Sequence, residues 1–586
     1  MPATESDDSC PLVEPGWSEP EKWVWQEVQA GRIANFNDRY GKIDPRSPDG
    51  WSAIREITPF FLETILTRDV YQKALPRQGV RIVGAWVRQP IDLAHGSLSH
   101  PWWLDASRME KDADLSYLST TSSISLEDSA FIGGLRLQSA RIDVQLNLSG
   151  AKCTGLLNMN SLETKGHLFM GKGSQAGAEF AEVDLRGAKV GGTLDMTGAK
   201  CTGKLSMGSL ETTGHLFMRS GAEFAEVDLR SAKVGVQLDM SGAKCTGLLN
   251  MNSLETKKHL FMGRGAEFAE VDLRSAKVGG VLDMGGQSGI VGARCTGKLN
   301  MGAVEVSGSV YMRRGAVFES EVSFVFAQIG GRFDISGAQF AFFDMTETCV
   351  RGEFRLGSRT EAKPTWPSES RLVLRNTAVS TVQTAGLDAF PKDLDLAGFT
   401  YSRLEGLGIT GDEPQNINWK STFVTLLQRD RNYSPQLYQN LAGVLHTMGH
   451  PDKANTILYE GKEHERREMK ARGHRAKWCG LSLLKWTIGY GYGYRYFFSL
   501  VWLAVFIALG AWVVSTTTPG NTWGTIKTLG FSFDMLIPLV KLDESHFRVF
   551  SQEMTGWQYY YFFLHKLVGY VLASFVLAGL SGITKK

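Results

Sequence analysis

Three stretches, GAEFAEVDLRGAKVGGTLDM (177–196), GAEFAEVDLRSAKVGVQLDM (221–240) and GAEFAEVDLRSAKVGGVLDM (265–284), are near-copies of one another set 44 residues apart. Leu194, Leu238 and Leu282 each open the same Leu-Asp-Met triplet. A finer beat runs inside each copy: an apolar-x-apolar triplet returns every eleven residues, at Val183, Leu194, Leu205 and Leu216. Counting back by eleven from Leu168 lands on Leu157, Leu146, Leu135, Ile124, Ala113, Trp102, Ile91 and Val80. Towards the carboxyl end, insertions of four residues near Gly173 and six near Gln287 shift the phase. Leu299, Val310, Val322, Phe333, Phe343 and Phe354 then keep a near-eleven spacing, with echoes at Leu372 and Leu394 and an end near Phe399.

An apolar-x-apolar triplet followed by Gly, Ser, Ala or Asn reads as a very short strand with one buried face, then a turn. Strands this short cannot form separate cores, but stacked turn upon turn they bury one continuous column. The expected fold is mainly β: a parallel solenoid over 80–400 built from eleven-residue half-rungs, two to a 22-residue rung. About 14 or 15 rungs would make a rod roughly 70 Å long at about 4.8 Å per rung. Cys153, Cys201, Cys245 and Cys295 recur two rungs apart, roughly 9 to 10 Å, too far for a disulfide or a shared zinc ion. They are expected as small buried fillers.

The run Ala222, Phe224, Val227 and Leu229 resembles the Ala/Gly-x-Phe/Leu-x-x pattern of pentapeptide-repeat proteins, over Val80 to about Phe399. The resemblance implies a right-handed β-helix, although the period here is eleven rather than five. Some members of that group mimic DNA with acidic faces. One copy here, 178–221, carries five acids (Glu179, Glu182, Asp184, Asp195, Glu211) against five bases (Arg186, Lys189, Lys200, Lys204, Arg219). The whole chain has 63 Lys and Arg against 61 Asp and Glu. Neither nucleic-acid mimicry nor nucleic-acid binding is expected from that balance.

Stacking aligns Glu179, Glu223 and Glu267, Asp184, Asp228 and Asp272, and Arg186, Arg230 and Arg274, so opposite charges two residues apart can pair at the surface. One ladder differs in kind. The middle residue of a triplet should face water, yet it is Phe169, Phe217, Phe261 and Tyr311, with His167, His215 and His259 beside the first three. Such a stripe predicts a partner-binding groove or a docking face for the terminal helices, or a local register change that buries it.

Beyond the repeats, 1–16 reads as disordered and 17–79 as a helical cap on the first rung, with helices at 19–29 and 51–66. The second would present Ile54, Ile57, Phe61 and Ile65 on one face. After the rod, helices at 420–429, 434–448 and 452–471, divided by turns at Asn432 and Gly449, form a hairpin region over 419–475. Its residues Tyr438, Leu441, Ala442, Gly449 and Ala454 resemble part of a tetratricopeptide helix pair, which implies a packed hairpin and peptide binding. The basic stretch 462–477 could touch anionic lipid.

The last section, 476–586, reads as a membrane domain. Residues 496–514 carry no charge and 567–583 form a second apolar run, with Lys566 placed to snorkel. Basic residues flank both runs on their outer sides, which puts both chain ends in the cytoplasm of a bacterial-type inner membrane. The acidic, polar opening MPATESDDSC shows no signal peptide. The run GYGYGYRYFF (489–498) holds the Gly-Tyr-Gly of potassium filters. It precedes the first span, however, so Trp486, Tyr490, Tyr492, Tyr494 and Arg495 read as an interfacial belt. Ala504 with Ala508, and Gly569 with Ala573, have the spacing of packed membrane helices. Between the spans, 528–540 is too short to cross and fits a re-entrant or interfacial helix, with Asp534 and Pro538 as candidate pore residues.

No nucleophile and base pair, metal-ligand spacing or phosphate loop is recognisable, so no catalytic, metal or cofactor residue is nominated. The expectation is a non-enzymatic recognition or scaffolding rod on a membrane anchor, whose partners are lipid and a protein or a second copy. The alternatives are an oligomeric pore gated by the rod and an enzyme without a motif.

Overall fold

Successive turns bond backbone to backbone along the whole array, as short strands with no sheet of their own must. Leu194 N–H donates to His215 O at 2.9 Å and Met196 N–H to Phe217 O at 2.7 Å. All rod strands pair in parallel, Leu194 on Leu216 on Leu238 on Leu260. The result is a parallel β-solenoid of about 15 turns, its last strand being Thr400–Glu405. This computed structural model describes residues 13–287, 289–358, 360–407, 418–430, 433–518, 520–537 and 542–580. Residues 1–12, Asn432, Pro538 with the rest of 538–541, and 581–586 lie outside the described residues.

Each turn has four short strand segments rather than two sides. Lys189–Val190 and Leu194–Asp195 belong to the larger sheet, and Lys200–Ser206 supplies two pieces to the smaller. An Asp or Asn after the inward leucine sets the corners. Asp195 Oδ1 accepts Thr197 N–H at 2.8 Å, Asp239 accepts Ser241 N–H at 3.0 Å, and Asp228 accepts Arg230 N–H at 3.1 Å. These Asx turns lead into a left-handed residue, Gly198, Gly242 or Ser231, where glycine and small polar residues carry the least strain.

The 44-residue period follows from what fills the interior. Down the smaller sheet the inward residues run Phe180, Cys201, Phe224, Cys245, Phe268, Cys295 and Phe318, large on small on large. All are buried, and alternating volume lets adjacent layers interdigitate. From Cys153 to Phe268 the Cys strands run seven residues and the Phe strands six, and the pairing slips at a bulge between them. Each of these cysteines opens a Cys-Thr-Gly, as at 201–203, and the glycine belongs to that bulge, because a Cβ on Gly203 would overlap Ala181 O of the preceding turn. Burial pushes the Cys201 and Cys245 thiols up to about 11 and that of Cys295 to about 12, as expected of inert fillers.

At the amino end, Ala34–Asn35 pairs in parallel with the first rod strand and covers its edge. Arg46 then reaches along the rod, donating to Gly150 O at 2.8 Å and Gly177 O at 2.6 Å and pairing with Glu179 at 3.1 Å. Helix Glu19–Gln29 forms as expected, closed by a capping box of Ser18 and Glu21. The expected helix 51–66 does not form as one piece. Thr58 caps a new helix at Pro59–Thr67, leaving Ala53–Arg55 as a single 3₁₀ turn. Ile57, Phe61 and Ile65 are buried, but Ile54 is 47% exposed, because the break turns it off the shared face.

A second unit, from residue 412 onwards, is helical. Helices Trp419–Gln428, Pro435–Thr447 and Pro451–Ala471 match the expected hairpin region, and Gly449 takes a left-handed turn between the last two. Two helical stretches are long and apolar enough to cross a membrane, Gly493–Ser515 and Trp557–Ala578. The second starts ten residues before the expected boundary. Its first turns, rich in Tyr and Phe, are helical, so Lys566 stands well inside the helix rather than at its start. There its ammonium lies 4.3 Å from the centre of the Phe550 ring. Between the two, Thr525–Leu536 forms a helix whose Phe531, Met535 and Leu536 are buried against both apolar helices. Gly569 permits that contact, since a Cβ there would overlap Leu536 O. Ala504 and Ala508, by contrast, face outward.

Candidate functional site

The outward column next to the Leu ladder of the larger sheet runs Phe169, Asp195, Phe217, Asp239, Phe261, Asp283, Tyr311, Asp334 in successive turns. No register change buries the aromatics, each of which is half-exposed. They occupy the place where the intervening turns carry an Asx cap. A phenylalanine there gives up the hydrogen bond that Asp195 and Asp239 make to their own turns. An aromatic therefore stands where the fold itself favours Asp or Asn, repeated on every second turn.

Each ring is held by neighbours on its own strand. His167, His215 and His259 stack on Phe169, Phe217 and Phe261 at centroid distances of 5.5, 5.0 and 5.4 Å. Arg219 lies 4.1 Å over Phe217 and bonds Asp239 at 3.1 Å, and Arg313 lies 4.2 Å over Tyr311 and bonds Asp334 at 3.2 Å. At Phe169 and Phe261 the corresponding positions are Gly171 and Gly263. His167 Nδ1 accepts Thr193 N–H at 3.0 Å and His259 Nδ1 accepts Val281 N–H at 3.1 Å. Those bonds place the proton of the neutral ring on Nε2. Burial pushes the Asp283 carboxyl above its ordinary value, opposed by Gly285 N–H and by Arg313, Arg264 and Arg314.

The aromatics and histidines stand out in the sequence, whereas the four aspartates and two arginines of the same column do not. The signal lay in the opening triplets: 22 positions either side of Phe217 and of Phe261 stands the Asp of a Leu-Asp-Met triplet. The other ladders also alternate. Glu179, Glu223 and Glu267 are separated by Lys200 and Lys244, which bridge to Glu223 at 2.9 Å and Glu267 at 3.1 Å. Asp184–Arg186, Asp228–Arg230 and Asp272–Arg274 pair two residues apart as expected, at 2.6, 2.7 and 2.7 Å.

In the carboxyl-terminal unit the tyrosines of GYGYGYRYFF divide. Trp486 and Tyr494 are largely exposed, whereas Tyr490 takes a left-handed backbone and donates from its hydroxyl to Glu463 at 2.6 Å. Lys485 and Arg466 reach the same carboxylate, each at 3.0 Å. Tyr492 is half-buried, and Arg495 lies 3.6 Å over the Tyr459 ring. Asp534 is fully buried: one oxygen accepts Leu542 N–H at 2.7 Å, the other Asp543 N–H at 3.1 Å and pairs with His546 at 2.7 Å. His565 is buried against Ser532 and Tyr561. No family model, curated protein or solved structure matches this chain.

Proposed function

We propose that this chain is a membrane-anchored recognition rod, a non-enzymatic scaffold that docks a protein partner on the aromatic column of its larger sheet. The observation that carries the reading is the exchange of a turn-capping Asx for an aromatic on alternate turns, which costs the fold a hydrogen bond and leaves half-exposed rings in register. The two long apolar helices serve as the anchor. The basic residues outside them support an inner-membrane location with the rod in the cytoplasm. An anchor fits better than a pore, because both oxygens of Asp534 are engaged within the subunit.

A photo-crosslinking amino acid placed at Phe217 in the full chain tests the docking face, with the exposed Glu223 on the smaller sheet as reference. Discrete adducts at 217 and none at 223 are expected. Equal labelling at 217 and 223, or none at either position, overturns the reading. Retention of the full chain in membranes after alkaline carbonate washing, and release once 493–586 is removed, tests the anchor.

A further inference from the structure

Resting on that docking reading, we infer that the ligand of the column is a proline-rich segment in the polyproline II conformation, with a basic residue beside Asp195. The pitch of the column selects the conformation. Its aromatics recur every second turn, about 9.6 Å apart at about 4.8 Å per strand spacing. A polyproline II helix has three residues per turn and rises about 3.1 Å per residue, so it presents the same side every 9.3 Å or so. Over Phe169, Phe217, Phe261 and Tyr311 the mismatch accumulates to only about 1 Å. An extended β-strand repeats on one face about every 6.8 Å, and drifts out of phase by the second ring.

The chemistry agrees with the pitch. Polyproline II leaves its carbonyls unbonded, and aromatic-lined grooves with spaced donors are the usual means of reading it. Here His167 and His259 each keep an Nε2–H beside a ring, two donors for those carbonyls. Charge then sets the register. Asp239 and Asp334 are neutralised by Arg219 and Arg313, whereas Asp195 takes one hydrogen bond, from Thr197 N–H, and no ion pair among the described residues. A Lys or Arg in the ligand's gap between Phe169 and Phe217 meets that open carboxylate.

Fluorescence anisotropy with the full chain in detergent tests this. The probe is a labelled dodecapeptide with Pro at every third position and one Arg in the terminal gap, made in both chain directions. The comparison peptides have the same composition, one with period-two spacing and one scrambled. Expected is at least tenfold tighter binding of one period-three peptide. Phe217→Asp should abolish it, and Asp195→Asn should weaken it severalfold. Phe217→Asp installs the residue that neighbouring turns carry at this place, so an unchanged unfolding curve separates lost binding from lost fold. A preference for the period-two peptide that is sensitive to Phe217→Asp overturns the polyproline assignment while keeping the docking face. Binding no tighter than the scrambled peptide, or indifferent to Phe217→Asp, overturns the assignment outright, and crosslinking at Phe217 then judges the docking face separately.

Discussion

Polar groups in the rod and in the carboxyl-terminal unit are satisfied in opposite ways. In the rod, Asp228 has its own turn and Arg230, and the same arrangement stands two turns before at Asp184 and two turns after at Asp272. In the carboxyl-terminal unit, Glu463 gathers Tyr490, Lys485 and Arg466, and Asp534 gathers His546 and two backbone N–H groups, each arrangement occurring once among the described residues. Stability is therefore shared among many small, replaceable terms in the rod, as in other solenoids, and concentrated at a few points in the helical unit. Damage of equal chemical size should be absorbed in one region and felt in the other.

The largest contrast is expected at Asp534. Asp534→Ala strands His546 in a buried site and should cost the helical unit about 3–5 kcal/mol, read as an early loss of helical signal on heating in detergent. The rod's Asp228→Ala should cost less, about 1–2 kcal/mol: the carboxylate is buried, but Arg230 is exposed and left free to turn to water, and one turn bond is lost. Equal losses in the two would remove the distinction.

Acid should separate the regions by sign. Burial pushes the Glu463 carboxyl up, but the bonds from Arg466, Tyr490 and Lys485 outweigh it and lower it from the usual 4.5 to about 2. A depressed carboxyl contributes stability that is present above its unfolded value and lost as pH falls from about 4.5 towards 2. Asp105, near the start of the rod, goes the other way. Burial raises it from 3.8 to about 6, against bonds from Ser125 and Glu127 N–H and with the charges of Glu127 and Asp128 adding to the rise. Its contribution is present below 3.8 and lost as pH rises through 6. Asp105→Asn should therefore raise the melting temperature of the rod at pH 8 and leave it unchanged at pH 3.5. Glu463→Gln should flatten the acid loss of the helical unit. A melting series against pH on both variants checks the two signs together.

The smallest effect should come from the cross-turn pairs. Lys200→Ala removes its bridge to Glu223 in water, and a loss below about 1 kcal/mol is expected by denaturant titration. A larger loss would mean that the ladders, not the packed interior, hold adjacent turns in register.

The beat of the rod was legible because Leu194, Leu205 and Leu216 are apolar on every turn. Its four-sidedness was not, because, of the other two segments, one alternates between Val190 and Thr212, so the apolar pattern drops out there, and the other has a single inward Cys or Phe. Thr212 is tolerated inside because its hydroxyl donates to Gly214 O at 3.4 Å. The aromatics were legible as exceptions to alternation. The role of Asp195 was hidden because it shares the column of Phe169 and Phe217 only when the turns are laid in register, 26 residues from one and 22 from the other. In the helical unit, the fate of Asp534 depended on His546 and on backbone several residues away, and two of the three partners of Glu463, Lys485 and Tyr490, lie on later elements than its own helix. Contacts of that kind leave no local pattern to read.

The alternation of Cys and Phe layers has one more consequence, for heredity. Ala199–Lys200 and Ala243–Lys244 are the same dipeptide at the same point of the module, so excising 200–243 rejoins a Phe layer to a Cys layer with every bulge in phase. Unequal crossing-over within the near-identical copies would thus yield folded proteins whose rods differ by whole steps of about 9.6 Å, each step adding or deleting one aromatic. Length and valency would be inherited together, as a single adjustable number.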